Sequence, residues 1–308
     1  MSNSKILVIG SSNTDMVVKT SRFPASGETI LGGDFFMNPG GKGANQALAA
    51  KRLGGNVSFL GKIGNDIFGR QAMQSLKEGG VNVDSVRIDP EKPSGIALIT
   101  VDSKGENSIV VAPGSNDTLL PNDINETFPE FESSDIILLQ LEIPLETINY
   151  VAEIAHKKKK KVILNPAPAT HLSDKLLKNL YMLIPNETEA ALLTGISIAD
   201  EESAKQAALV LKSKGVEVII ITMGAAGAFV MTDEFAKMIK TPKVVAIDTT
   251  AAGDTFCGAL VAKLSRNSKL EDALNFATAA AAICVTRMGA QPSIPSEEEV
   301  DEFLKQPK

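Results

Sequence analysis

Short apolar, β-branched runs alternate with longer helical patterns along almost the whole chain, and this alternation constrains the fold more than any other feature. The runs cover 6–9, 57–63, 136–141, 162–164, 181–184, 218–222, 227–231 and 244–247. Between most of them lie segments of helical periodicity, among them 43–53, 68–78, 145–156, 187–194, 204–214 and 272–285. Parallel neighbours in a sheet need a crossover, usually a helix. The pattern therefore predicts an α/β protein of three layers (α/β/α), with a mostly parallel central sheet. Strands without polar interruption fit a sheet covered on both faces.

Two regions break the alternation. Residues 13–37 and 94–112 hold strand-like pieces at 16–18, 29–31, 96–101 and 108–112 with no helices between them. Residues 102–105 (Asp-Ser-Lys-Gly) read as a hairpin turn. Such pieces cannot enter a parallel sheet without crossovers, so they predict a small separate antiparallel sheet, placed as a lid over the mouth of the core. With no internal repeat, the 308 residues read as a single domain.

Several function classes are excluded by composition. A net charge of −6 argues against a nucleic-acid surface, which normally carries a basic excess. The lysine run at 157–161 follows a helical pattern and reads as its solvated last turn. Cys257 and Cys284 stand alone among small apolar residues, which suggests a reducing compartment without a structural disulfide. His156 and His171 have no ligand-spaced partners, which argues against a zinc site. The N-terminus leads straight into an apolar strand, and no apolar stretch reaches the ~20 residues of a membrane span. A cytoplasmic protein is expected.

Ligands of open parallel sheets bind beyond the carboxyl ends of the strands. Asn13, Glu142, Asn165, Asn186, Thr222 and Asp248 follow or end predicted strands and form a polar rim there. The segment 247–256 (Ile-Asp-Thr-Thr-Ala-Ala-Gly-Asp-Thr-Phe) is the most informative part of that rim. Small residues Ala251, Ala252 and Gly253 lead into a helix whose first turn carries Asp254. A helix N-terminus offers unpaired N–H groups to an anion, and Asp254 adds a base beside them.

The glycine-rich stretch 38–46 (Asn-Pro-Gly-Gly-Lys-Gly-Ala-Asn-Gln) fails both common nucleotide-loop spacings. It reads equally as a tight helix-capping loop or as a ligand loop, with Gly41 and Gly43 admitting a ligand and Lys42 and Asn45 as donors. Asn13 and Asp15 face the same way on an extended chain, which suits a sugar diol; an Asn-Thr-Asp turn explains them as well. Asn186 to Glu189 reads first as a capping box, with phosphate and Mg²⁺ contacts as the alternative. Gly224 and Gly227 serve a plain hairpin loop or a nucleotide crossing the backbone.

Together the stretches 38–47 and 248–256 resemble the ribokinase family of carbohydrate kinases, which takes in fructokinases, adenosine kinase and minor-type phosphofructokinases. The segments 164–169, 185–189 and 285–293 extend the resemblance over nearly the whole length. It implies a ribokinase-like fold and ATP-dependent phosphorylation of D-ribose at its 5-hydroxyl. Asp254 would take the hydroxyl proton, and the amides of Ala251, Ala252, Gly253 and Asp254 would hold the γ-phosphate. Asn13, Asp15, Gly41, Lys42, Gly43, Asn45, Glu142 and Asp254 would bind the sugar. Asn186, Thr222, Gly224, Gly227, Gly253 and Thr278 would meet ATP, and Glu189 would help place Mg²⁺ through water. Asp248, Thr250, Cys284, Arg287, Gly289 and Ser293 would ligate a monovalent cation, usually K⁺. Homodimer formation through the lid sheet is implied as well. Cys257, Met288 and Thr278 stand where Asn, a basic residue and a larger side chain are common. Kinases of deoxyribose, fructose or adenosine share the catalytic loop, and a sugar-binding regulator is the alternative outside enzymes.

Overall fold

Apolar runs at strand spacing become the eight-stranded central sheet of the computed structural model, which describes residues 4–305. Its strands are β1 (Lys5–Ile9), β4 (Asn56–Leu60), β9 (Ile136–Leu139), β10 (Lys161–Leu164), β11 (Met182–Leu183), β12 (Val218–Thr222), β13 (Ala228–Met231) and β14 (Ala236–Ile239). The order is β14-β13-β12-β11-β10-β9-β1-β4, with β4 to β12 parallel and β13 and β14 antiparallel at one edge.

Side-chain alternation along these strands builds two cores, one on each face. Ile6, Val8, Leu138, Ile163 and Ile220 point to one core, with α1 (Lys42–Arg52), α9 (Ala252–Ser265) and α10 (Leu270–Cys284) packed there. Leu7, Ile9, Leu139, Leu164 and Ile221 point to the other, covered by α5 (Leu145–Lys157) and α8 (Glu201–Ser213). The shorter α3 (Pro121–Glu126), α4 (Phe128–Ser133), α6 (Asp174–Leu177) and α7 (Glu187–Thr194) complete that second layer. Helices α2 (Ile67–Glu78) and α11 (Glu297–Lys305) contribute Leu76 and Val300 to the first core. Lysines 157–160 close α5 and lead into β10, as their charge pattern predicts.

The small sheet is present, with order β3-β2-β7-β8: β2 (Asn13–Lys19), β3 (Phe35–Gly40), β7 (Gly95–Val101) and β8 (Asn107–Ala112). Its outer pairings are antiparallel, while the central β2–β7 pairing is parallel. The 102–105 turn joins β7 to β8, with Gly105 N bonded to Asp102 O at 3.0 Å. A further pair, β5 (Lys62–Gly64) and β6 (Arg87–Asp89), lies apart.

Two strand expectations fail. Residues 244–247 form no strand: they run as an irregular connection, with Val245 84% and Ile247 62% exposed. The edge position goes instead to β14, which has β13 beside it to complete a ladder. Residues 29–31 are likewise irregular, and β3 begins only at Phe35. Among the described residues, no helix is long and apolar enough to cross a membrane.

Candidate active site

Chain reversals at the carboxyl edge of the sheet gather the polar rim. After β1, the chain passes Ser11 and Ser12 and rises into β2, which carries Asn13 and Asp15 in extended backbone rather than in a turn. β3 descends beside it and delivers Gly40 and Gly41 to the start of α1. A Cβ at Gly40 would lie 2.3 Å from Asp15 Oδ2, so glycine is what lets that carboxylate lie over the loop. Gly41 has φ 89°, and a Cβ there would lie 2.7 Å from Asn13 N. Glu142, beyond β9, caps α1 from a distance: its Oε2 accepts from Lys42 N at 3.0 Å and from Ser11 Oγ at 2.5 Å. Asn13 Oδ1 accepts from Asn116 Nδ2 at 2.7 Å.

These placements concentrate charge. Burial, then the neighbouring Glu142 and Asp254 carboxylates, raise the Asp15 carboxyl to about 6, against the pull of Lys42. Burial works to lower the Lys42 ammonium, but Asp254, Glu142, Glu189 and Asp15 outweigh it and hold it above its ordinary value. Burial also raises Glu189.

The loop before α9 forms the other half. Asp248 accepts from Thr250 N at 2.9 Å and Thr250 Oγ1 at 2.6 Å on one oxygen, and from Gly289 N at 2.8 Å on the other. Burial opposes ionisation of Asp248, yet these bonds keep its carboxyl below the ordinary range. Ala251 caps α9 in the left-handed region (φ 59°), rare for a residue with a Cβ. Ala252 N reaches Thr249 O at 3.3 Å, whereas the amides of Gly253 and Asp254 have no acceptor among the described residues. Gly253 has open space around its Cα. The Asp254 carboxylate is buried and accepts from Asn45 Nδ2 at 3.0 Å and Gln46 Nε2 at 2.9 Å.

Two cavities meet here. The larger, about 450 Å³, lies under the small sheet and is lined by Asn13, Asp15, Gly41, Lys42, Asn45 and Glu142 among others. The smaller, about 220 Å³, is lined by Asn165, Asn186, Glu189, Thr222, Ala252 and Gly253 among others. Lys42, Ala251 and Asp254 line both. A carboxylate, an ammonium and a helix N-terminus thus stand on the boundary between the two cavities.

Not every expected residue reaches these cavities. Asn186 and Glu189 do form the capping box, with Glu189 Oε2 accepting from Asn186 N at 2.9 Å, and they line the smaller cavity as well. Gly224 and Gly227 lie in the β12–β13 connection and line neither cavity. Thr278 is buried within α10, its Oγ1 sharing its proton between Leu274 O at 3.1 Å and Asn275 O at 3.0 Å, and it lines neither cavity. Cys284 Sγ sits 3.0 Å from Ser293 Oγ and 3.7 Å from Thr250 O, and with the Gly289–Asp248 bond this joins the two expected cation-binding segments. Arg287 turns its side chain outward to Glu299. Sequence reasoning assigned no role to Ser11, Asn116, Gln46 or Gln140. Only Gln46 carried a signal, as the last residue of the glycine-rich stretch.

The chain belongs to the pfkB family of carbohydrate kinases, whose model, described as "pfkB family carbohydrate kinase", matches residues 3–297. It is an enzyme of that class. The ribokinase of Haemophilus influenzae is 44% identical over 300 residues, covering 97% of this chain and 98% of the relative. A deoxyribokinase of Salmonella typhi is 38% identical, covering 97% of this chain and 98% of its own length. The solved structure of Arabidopsis thaliana ribokinase complexed with ribose and ATP superposes with a TM-score of 0.92 at 32% identity, covering the whole of both chains.

Proposed function

We propose that this enzyme transfers the γ-phosphoryl group of ATP to the 5-hydroxyl of D-ribose, giving D-ribose 5-phosphate and ADP. The observation that carries the reading is the Asp254 carboxylate, placed where the two cavities meet and beside unpaired helix amides. The likeness to ribokinases, one of them solved with ribose and ATP, supports the choice of substrates.

In this mechanism Asn13, Asp15, Gly41, Lys42, Asn45 and Glu142 hold the sugar in the larger cavity, with Gly43 packed behind them against Gly10 and Ser11, under the sheet formed by segments 13–37 and 94–112 of one kinase domain. Carboxylates accept from the sugar hydroxyls, while Lys42 and Asn45 donate. Asn186 and Thr222 hold ATP from the smaller cavity, with Gly224 and Gly227 beyond it, and Gly253 and Asp254, behind Ala251 and Ala252, present unpaired amides to the γ-phosphate. Asp254 takes the proton of the 5-hydroxyl as the sugar oxygen bonds to the γ-phosphorus. The bond from that phosphorus to the β–γ bridging oxygen breaks, and ADP leaves with the electron pair. Phosphoryl transfer asks mainly for alignment and charge stabilisation, which Lys42 and the helix terminus supply. Sheet closure over the sugar would exclude water.

The residues also fit two ions. Glu189 is a buried carboxylate on the smaller cavity, suited to a water-mediated hold on Mg²⁺, which is usually bound by one or two carboxylates and substrate phosphates. Mg²⁺ there supplies neutralisation of the phosphate charge. Asp248, Thr250, Cys284, Arg287, Gly289 and Ser293 would hold K⁺, mostly through main-chain carbonyls, on two segments that the Gly289–Asp248 and Cys284–Thr250 bonds join.

A positioned general base is typically worth ~10²–10⁴-fold in rate. Asp254→Asn should lower kcat by that order while sparing sugar affinity, as measured by coupled ADP release and ribose titration. Near-wild-type turnover would refute the mechanism. Deoxyribose is the second reading, favoured by the 38% identical deoxyribokinase. The same assay over ribose, deoxyribose, fructose and adenosine, with and without K⁺, separates the readings; a protein that binds ribose and turns over none of them would be a regulator.

A further inference from the structure

We propose that Gln46 is a positioning residue that keeps the Asp254 carboxylate aligned between the two cavities; the inference rests on Asp254 acting as the base. Gln46 is fully buried in α1 and lines neither cavity. Both protons of its Nε2 are in use, one to Asp254 Oδ1 at 2.9 Å and one to Asn165 Oδ1 at 3.0 Å. Its Oε1 accepts from Gln140 Nε2 at 2.6 Å, and Asn165 is anchored by its Nδ2 to Ile184 O at 3.0 Å.

Chemistry fixes the sense of this chain. An ionised carboxylate only accepts, so Nε2 of Gln46 must face Asp254, and Nε2 of Gln140 must then face Oε1 of Gln46. The arrangement leaves Gln140 Oε1 buried without a partner, a cost borne to orient Gln46. The second donor to Asp254, Asn45, lines the sugar cavity and is open to a bound ligand. Gln46 is behind the carboxylate and keeps its bond whatever occupies the cavity. Asn165 lines the smaller cavity, so Gln46 ties the base to the wall against which the phosphates lie.

Loss of this bond should affect kcat and leave substrate affinity alone. Gln46→Met keeps length and removes the donor; misplacing a catalytic group by an ångström can cost about 10²-fold, so a fall of about 10–100-fold in kcat is expected with KM for ribose and ATP within about twofold. Asp254→Asn serves as reference: if it turns over normally, the base reading itself fails. If Asp254→Asn is inactive while folded Gln46→Met keeps kcat within threefold, this inference alone is overturned. Should Gln46→Met not fold, Gln140→Met reads the same chain one bond further back: a few-fold loss of kcat at constant KM supports the inference, and unchanged kcat overturns it.

Discussion

Asp15 shows how one residue can serve binding at the expense of stability. Burial, Glu142 and Asp254 raise its carboxyl to about 6, above the 3.8 of an unperturbed Asp. Between those values the folded chain retains a proton that the unfolded chain has lost. Stability is therefore highest below about pH 4 in this respect, falls as pH rises towards 6, and stays reduced above it; linkage puts the loss at roughly 2–3 kcal/mol at most. Asp15→Asn should raise the melting temperature at pH 8 and leave it unchanged near pH 3.5. The sugar hydroxyls need the ionised acceptor, so ribose KM in the wild type should rise about tenfold per pH unit below 6. Titrating KM from pH 5 to 8 checks this: a flat profile removes Asp15 from the sugar contacts, and an unchanged melting temperature in Asp15→Asn removes the stability argument.

At the scale of elements, α1 and α9 bring the sugar loop and the phosphate loop together because they can lie unusually close. A Cβ at Gly258 of α9 would sit 2.5 Å from Ala49 Cβ and 2.7 Å from Ala50 N of α1. Gly258→Ala must push the helices apart, which costs about 1–3 kcal/mol in a well-packed core. The Asn45–Asp254 bond spans the same two helices, so kcat should fall along with stability. Urea denaturation and turnover measured on the same variant test this; an undisturbed kcat would mean the helix spacing does not set the site. These helices were legible beforehand because periodicity and glycine spacing are local properties of the chain. Residues 244–247 were not, since an apolar β-branched run looks the same whether or not a neighbouring strand exists to pair with it. β14 (Ala-Lys-Met-Ile) has no strand pattern of its own and is defined by its ladder to β13. Gln46 shows the same limit: a glutamine in a helix reads as surface, and only tertiary packing buries it against Asp254 and Asn165.

At the scale of the molecule, the small sheet has an apolar face on each side. Alternation sends Val17, Phe36, Ile99 and Ile109 towards the larger cavity. It sends Phe35, Met37, Leu98 and Val110 outward, where they are 48–64% exposed even though α2 touches β2 and β3. An exposed apolar patch of this kind marks an interaction surface. A second copy of the same sheet is the partner we propose, because a two-fold axis would match each apolar row with its equivalent. The sheet carries Asn13 and Asp15, so pairing would also hold the sugar contacts in place. Leu98→Asp combined with Val110→Asp puts four charges into that interface. Sedimentation should show a concentration-dependent dimer for the wild type and a monomer for the variant, with ribose KM raised and ATP KM little changed. A wild-type protein that stays monomeric at every concentration would leave the outer face unexplained by self-association and make the sugar site complete within one chain.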